Sequence, residues 1–193
     1  MNALPFTAQL INVFAAVLLL LSFAMLAQRR ILSLVDLLAW QGAALVGSTL
    51  AVAYSTGQQH LYYSAALTLA LKVILVPLVL HRLIRRLAVR WDTEPLLNIP
   101  ATMIVGLALV VFSFGLAQPI SALASTVTRS TLGIAIAVVM LSFLMMITRR
   151  KAISQVIGFL AMENGLFFAA TSATYGMPMV VELGIALDVL VGT

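Results

Sequence analysis

The sequence predicts an all-α, polytopic membrane protein of about seven transmembrane helices, with its N-terminus outside. Three observations carry this reading. Of the 193 residues, 63% are hydrophobic and only 9% charged, against about 45–50% and about 25% in a soluble domain; mean hydropathy is +1.13. The apolar residues gather in runs of about 20, the length at which a helix crosses a ~30 Å hydrocarbon core. The basic residues fall in short clusters that occupy every second connection between those runs. This composition excludes an ordinary globular domain, a disordered tail and a collagen. With no cysteine, the chain has no disulfide framework, Cys-ligated zinc, iron–sulfur cluster or redox dithiol. The net charge of +5 does not point to nucleic acid, because the basic clusters sit between apolar runs, where membrane orientation explains them.

The spans follow from the breaks in the pattern. The first, 6–27, stops at Gln28, Arg29 and Arg30. No basic residue precedes it, so a cleaved signal peptide is not expected. The second, 31–53, ends at the polar stretch 55–59, and the third, 61–83, at the charged stretch 84–99. The fourth, 100–118, ends at a Ser/Thr-rich stretch, and the fifth, 130–148, at Arg149, Arg150 and Lys151. The sixth, 152–174, ends at the turn residues of 175–179. The runs are apolar on all faces, which excludes alternating β-barrel strands. The seventh, from 180 to the end, would be only about 21 Å long at 1.5 Å per residue. The natural chain is therefore expected to continue past Thr193, or this helix to cross only part of the bilayer. The whole forms one membrane domain, 1–193.

Orientation comes from the basic residues. Arg29 and Arg30, then Arg82, Arg85, Arg86 and Arg90, then Arg149, Arg150 and Lys151 place nine on one side, against Arg129 on the other. The positive-inside rule puts the nine in the cytoplasm. The 84–99 connection, with Trp91, Asp92 and Glu94, reads either as a docking surface or as a solvated linker.

Three ionisable groups remain at membrane depth. Lys72 is the midpoint of the third span and Glu163 of the sixth. Asp188 lies about 12 Å into the seventh. An ionisable group facing lipid at mid-helix costs at least ~2.5–3.5 kcal/mol. These groups should therefore face the bundle interior and line a proton or ion path, or else form a structural pair that ties helices together. Asp36, five residues into its span, is either a gateway group or a residue reaching the cytoplasmic surface. Glu182 reads as interfacial, and His60 and His81 as anchors at the ends of the third span. Pro77, five residues after Lys72, removes an amide donor and crowds the carbonyl at Val73, so the helix should bend beside the lysine. Gly158 and Gly165 permit close helix contact, and Asn164 adds a polar group beside the acid. No metal-ligand spacing, Ser–His–Asp arrangement or phosphate-binding glycine loop is present.

Two stretches, Arg-Arg-Lys-Ala-Ile-Ser-Gln-Val-Ile-Gly-Phe-Leu-Ala-Met-Glu-Asn-Gly at 149–165 and Leu-Lys-Val-Ile-Leu-Val-Pro-Leu-Val-Leu at 71–80, resemble the hydrogenase-4 component E family. Val-Glu-Leu-Gly-Ile-Ala-Leu-Asp at 181–188 fits the same family. The resemblance implies a membrane subunit of group 4 nickel–iron hydrogenases and formate hydrogenlyases in a prokaryotic inner membrane. Spans five to seven also resemble the K subunit of respiratory complex I, which has one acid in its second helix and one in its third. Asp188 matches the second acid. The first acid of that subunit precedes an Asn by four residues; here Leu160 holds that place before Asn164, and Glu163 follows three residues later.

An internal pattern accompanies this. Arg29 and Arg30 are followed by Leu-Ala-Trp-Gln-Gly at 38–42, and Arg149 and Arg150 by Leu-Ala-Met-Glu-Asn-Gly at 160–165. Gln41 then corresponds to Glu163 and Lys72 to Asp188, giving a three-helix repeat over 6–83 and 130–193 joined by span 100–118. The sequence thus reads as a membrane-arm subunit of a proton- or sodium-translocating hydrogenase complex. Its relay residues would be Glu163, Lys72, Asp188, Asp36, Asn164 and Gln41. The chain itself would hold no cofactor; the nickel–iron centre and iron–sulfur clusters would lie in partner subunits. Its neighbours would be antiporter-like membrane subunits and peripheral subunits. The alternatives are a cation/proton antiporter subunit or stand-alone transporter, a lipid-modifying enzyme, for which no nucleophile is found, and a structural scaffold.

Overall fold

The computed structural model describes residues 6–57, 59–86, 98–121 and 126–174. Among these residues every regular element is helical. The elements are α1 (Phe6–Ala27), α2 (Ile31–Thr56), α3 (Gln59–Thr68), a π-helical segment (Leu69–Leu75), α4 (Val76–Arg86), α5 (Ile99–Ser121), α6 (Thr126–Thr148) and α7 (Ala152–Thr174). Segment α3–π–α4 is one continuous span, so six helices long and apolar enough to cross a membrane are described. The expected seventh span, with Asp188 and Glu182, lies outside the described residues, as do Trp91, Asp92 and Glu94.

The helices overrun their apolar stretches where polar side chains satisfy the terminal backbone. At the end of α2, the Ser55 and Thr56 hydroxyls each donate to the Val52 carbonyl at 2.9 Å. Gly57, at φ 67°, then donates its amide to the Ala53 carbonyl, closing the helix with the left-handed residue that glycine adopts without a Cβ clash. The C-terminus of α1 is closed from a distance. Arg149, 2% exposed, donates from Nη2 to the carbonyls of Leu26 and Gln28 at 2.8 Å and of Met25 at 3.4 Å. Burial, and secondarily repulsion from Arg29, hold its guanidinium below the usual arginine value.

Helices α1, α2, α6 and α7 form the central bundle; α5 packs on α6 and α1, and α3–π–α4 packs along α2. Leu26, Ile31, Leu34, Leu141, Met145 and Ile157 fill the bundle at the end that carries Arg29, Arg30, Arg149 and Arg150. Leu18, Leu45, Val138, Phe167 and Phe168 fill the next layer. Close packing of α6 on α7 depends on two glycines. A Cβ at Gly165 would lie 3.0 Å from Val138 and Val139, and one at Gly158 would lie 2.8 Å from Met146 and 3.3 Å from the Ser142 carbonyl.

Candidate functional site: a buried lysine and its α7 partners

The site starts with the backbone around Pro77. A proline ring crowds the carbonyl four residues back and leaves it without a donor. Here the chain widens ahead of the proline: residues 69–75 take the π register, and the Val76 amide donates to the Leu71 carbonyl, five residues back. The expected strain beside Lys72 is thus taken up as a π segment with the lysine inside it. Such segments occur often at functional positions. Gly42 of α2 lets the segment come close; a Cβ there would meet Lys72 Cβ at 3.4 Å and its carbonyl carbon at 3.5 Å.

Lys72 is 8% exposed and points into the bundle. One face of α7 receives it. Leu160, Glu163, Asn164 and Phe167 are spaced three and four residues apart, which stacks them on one side of a helix. Lys72 Nζ donates to Asn164 Oδ1 at 2.8 Å and lies 4.0 Å from Glu163 Oε2. The Phe167 ring centroid is 5.7 Å from the ammonium, within cation–π reach. Asn164 Nδ2 donates to Gln41 Oε1 at 3.2 Å, Gln41 Nε2 donates to Ser22 Oγ at 3.0 Å, and the Ser22 hydroxyl donates to the Leu18 carbonyl at 2.9 Å. A partly open pocket with Lys72, Glu163 and Asn164 in its wall, backed by Leu38, Val76 and Leu160, has room for about one water. A water there could bridge the 4.0 Å between ammonium and carboxylate.

Lys72, Glu163, Asn164 and Gln41 are therefore neighbours at one depth, whereas Asp36 is elsewhere. It is 65% exposed and lies 3.7 Å from Nε2 of His81, toward the basic end of the bundle. His81 Nδ1 is 2.9 Å from the Pro77 carbonyl, which orients Nε2 toward Asp36. Asp188 lies outside the described residues. The sequence reading did not single out Ser22, Phe167 or the Asp36–His81 pairing. Phe167 had a signal, its four-residue spacing from Glu163. Ser22 had none, since one serine in an apolar helix usually satisfies itself on its own carbonyl. Among the described residues no three His, Asp or Glu side chains gather as a metal site.

Comparison with known proteins gives two results. The chain is 34% identical over 182 residues to the uncharacterized protein Rv0085 of Mycobacterium tuberculosis, covering 94% of this chain and 83% of that protein. It is 29% identical over 134 residues to hydrogenase-4 component E of Escherichia coli K12, covering 69% of this chain and 61% of component E, and equally similar to that of Shigella flexneri. No family model matches the chain, and no solved structure does.

Proposed function

We propose, for a chain that belongs to the family of the uncharacterized protein Rv0085, the role of a membrane subunit in a proton- or sodium-translocating hydrogenase complex. The likeness to hydrogenase-4 component E supports membership of a hydrogenase complex. The observation that carries the translocating role is the Lys72–Glu163 pair, 4.0 Å apart and side chains 9% and 12% exposed, in the interior of a membrane bundle. An ammonium and a carboxylate at that separation balance each other while leaving the carboxylate space to exchange a proton through one water. Asp36 and His81, nearer the basic end, act as the gateway pair. Asp188 would continue the track. Hydrogen chemistry, the nickel–iron centre and the iron–sulfur clusters belong to partner subunits in this reading. Antiporter-like subunits would extend the path within a prokaryotic inner membrane, and formate is one electron donor such a complex would use.

The test is Glu163→Gln, which keeps shape and hydrogen-bonding capacity but removes the titrating proton. The expected result is an assembled complex that still turns over hydrogen while ion translocation falls about 100-fold or more, the range of a lost acid–base group. Normal translocation by the assembled variant rejects the relay. The competing reading, an antiporter subunit without hydrogenase, predicts copurification with antiporter-like proteins and no nickel.

A further inference from the structure

The hydrogen bonds that begin at Lys72 run in one direction. Lysine is a donor only, so the amide atom 2.8 Å from Nζ must be the Asn164 oxygen. That choice turns Asn164 Nδ2 toward Gln41 and requires an oxygen there. Gln41 is then left with its Nε2 facing Ser22, whose oxygen must accept. The Ser22 proton has one remaining direction, the Leu18 carbonyl, and it points there. Flipping any one amide would set two donors or two acceptors face to face. All three polar residues are buried, at 4% exposure or less, where an unmade hydrogen bond costs its full desolvation. The chain crosses from the π segment through α7 and α2 to α1, and each bond polarises the next.

Amide N–H groups are not acids in the physiological range, so Asn164 and Gln41 hold the lysine rather than pass its proton. We propose that Ser22 is the positioning residue of this site: it ties the far end of the chain to the Leu18 carbonyl and so holds Gln41, and through it Asn164, in place against the Lys72 ammonium, a helix and two amides away. The inference rests on the reading of Lys72 as the charged centre of the site, and it gives Ser22 a role independent of direct contact. A serine hydroxyl suffices because it accepts and donates at once. Threonine should serve equally. Thr49, Thr148 and Thr171 already donate to the carbonyl four residues back at 2.8–3.1 Å, the geometry Ser22 uses.

The lysine's own resonance provides the test. The chain has two lysines, Lys72 and Lys151, so protein labelled with nitrogen-15 at lysine Nζ gives one signal from the buried site and one from the loop as an internal control. In the full-length protein in lipid nanodiscs, Ser22→Ala should shift the Lys72 signal and leave Lys151 unmoved; Ser22→Thr should leave both in place. A folded Ser22→Ala protein with Lys72 unmoved overturns the proposal, as does Ser22→Thr shifting Lys72 as far as alanine does. If Ser22→Ala does not fold, Ser22→Cys replaces it: the thiol is a weak donor and acceptor, so Lys72 must again shift, and an unmoved signal again overturns the proposal. The readout does not depend on transport, so Glu163→Gln with normal translocation would remove the proposed function and leave this coupling to stand or fall by itself.

Discussion

Lys72 stays inside the bundle because three α7 side chains each meet a different need of a buried ammonium. Asn164 accepts its hydrogen bond, Glu163 balances its charge and Phe167 offers an aromatic face. Removing one partner of a buried ion pair strands the other, at a cost of about 3–5 kcal/mol, whereas replacing both with apolar residues is often nearly neutral. Lys72→Met should therefore destabilise the purified protein by about 3 kcal/mol, and Lys72→Met combined with Glu163→Leu by much less than either change alone. Thermal unfolding in one detergent reads both. Additive losses would mean that the 4.0 Å pair contributes nothing. The charges of this site were visible in the sequence because they interrupt apolar runs. The residues that receive them were less visible, since Phe167 and Ser22 belong to the background composition of a membrane helix.

At the scale of elements, hydropathy locates spans well because a helix in lipid must be apolar over its whole length. The six described spans fall within a few residues of the expected ranges. What hydropathy does not encode is register. The π segment at 69–75 leaves no trace in apolar periodicity, and Pro77 alone is compatible with a bend or a widened turn. Likewise Arg149 reads in sequence as one more orienting charge, and only the packing of α6 against α1 reveals it as the cap of another helix. Two outcomes follow. Arg149→Met should cost about 1.5–3 kcal/mol, the range for hydrogen bonds to a charged group, measured by thermal unfolding; Arg149→Lys should recover only part, because an ammonium lacks the guanidinium's planar reach. Relaxing the π turn to α register should swing position 72 about 100° around its helix, one residue's rotation. In this cysteine-free chain, Gly42→Cys with Lys72→Cys should cross-link readily, since a Cβ at 42 lies 3.4 Å from that of Lys72. Adding Pro77→Ala should lower the yield; an unchanged yield would show that the proline does not set the register.

For the whole molecule, the basic end of the bundle carries the orientation. Single-cysteine variants Asn98→Cys, beside α5 at that end, and Ser55→Cys, at the far end of α2, should label with a membrane-impermeant maleimide from opposite faces, Asn98→Cys from the cytoplasm. Labelling of both from one face would overturn the topology. The packing order has a further consequence, for the making of the protein. The span holding Lys72 packs along α2, while the acceptor of its ammonium described here, Asn164, belongs to α7 and comes 92 residues later. At about 5–20 residues per second, the ribosome delivers the cation to the membrane at least about 5 s before Asn164 and Glu163 exist. During that interval the lysine must snorkel, borrow a water or lipid phosphate, or wait in the insertion machinery. A nascent chain arrested before α7 should therefore insert its third span incompletely, and Lys72→Leu should restore insertion. The residue that organises the finished site is then also the slow point of its biogenesis, and the arrival of α7 is the event that commits the bundle.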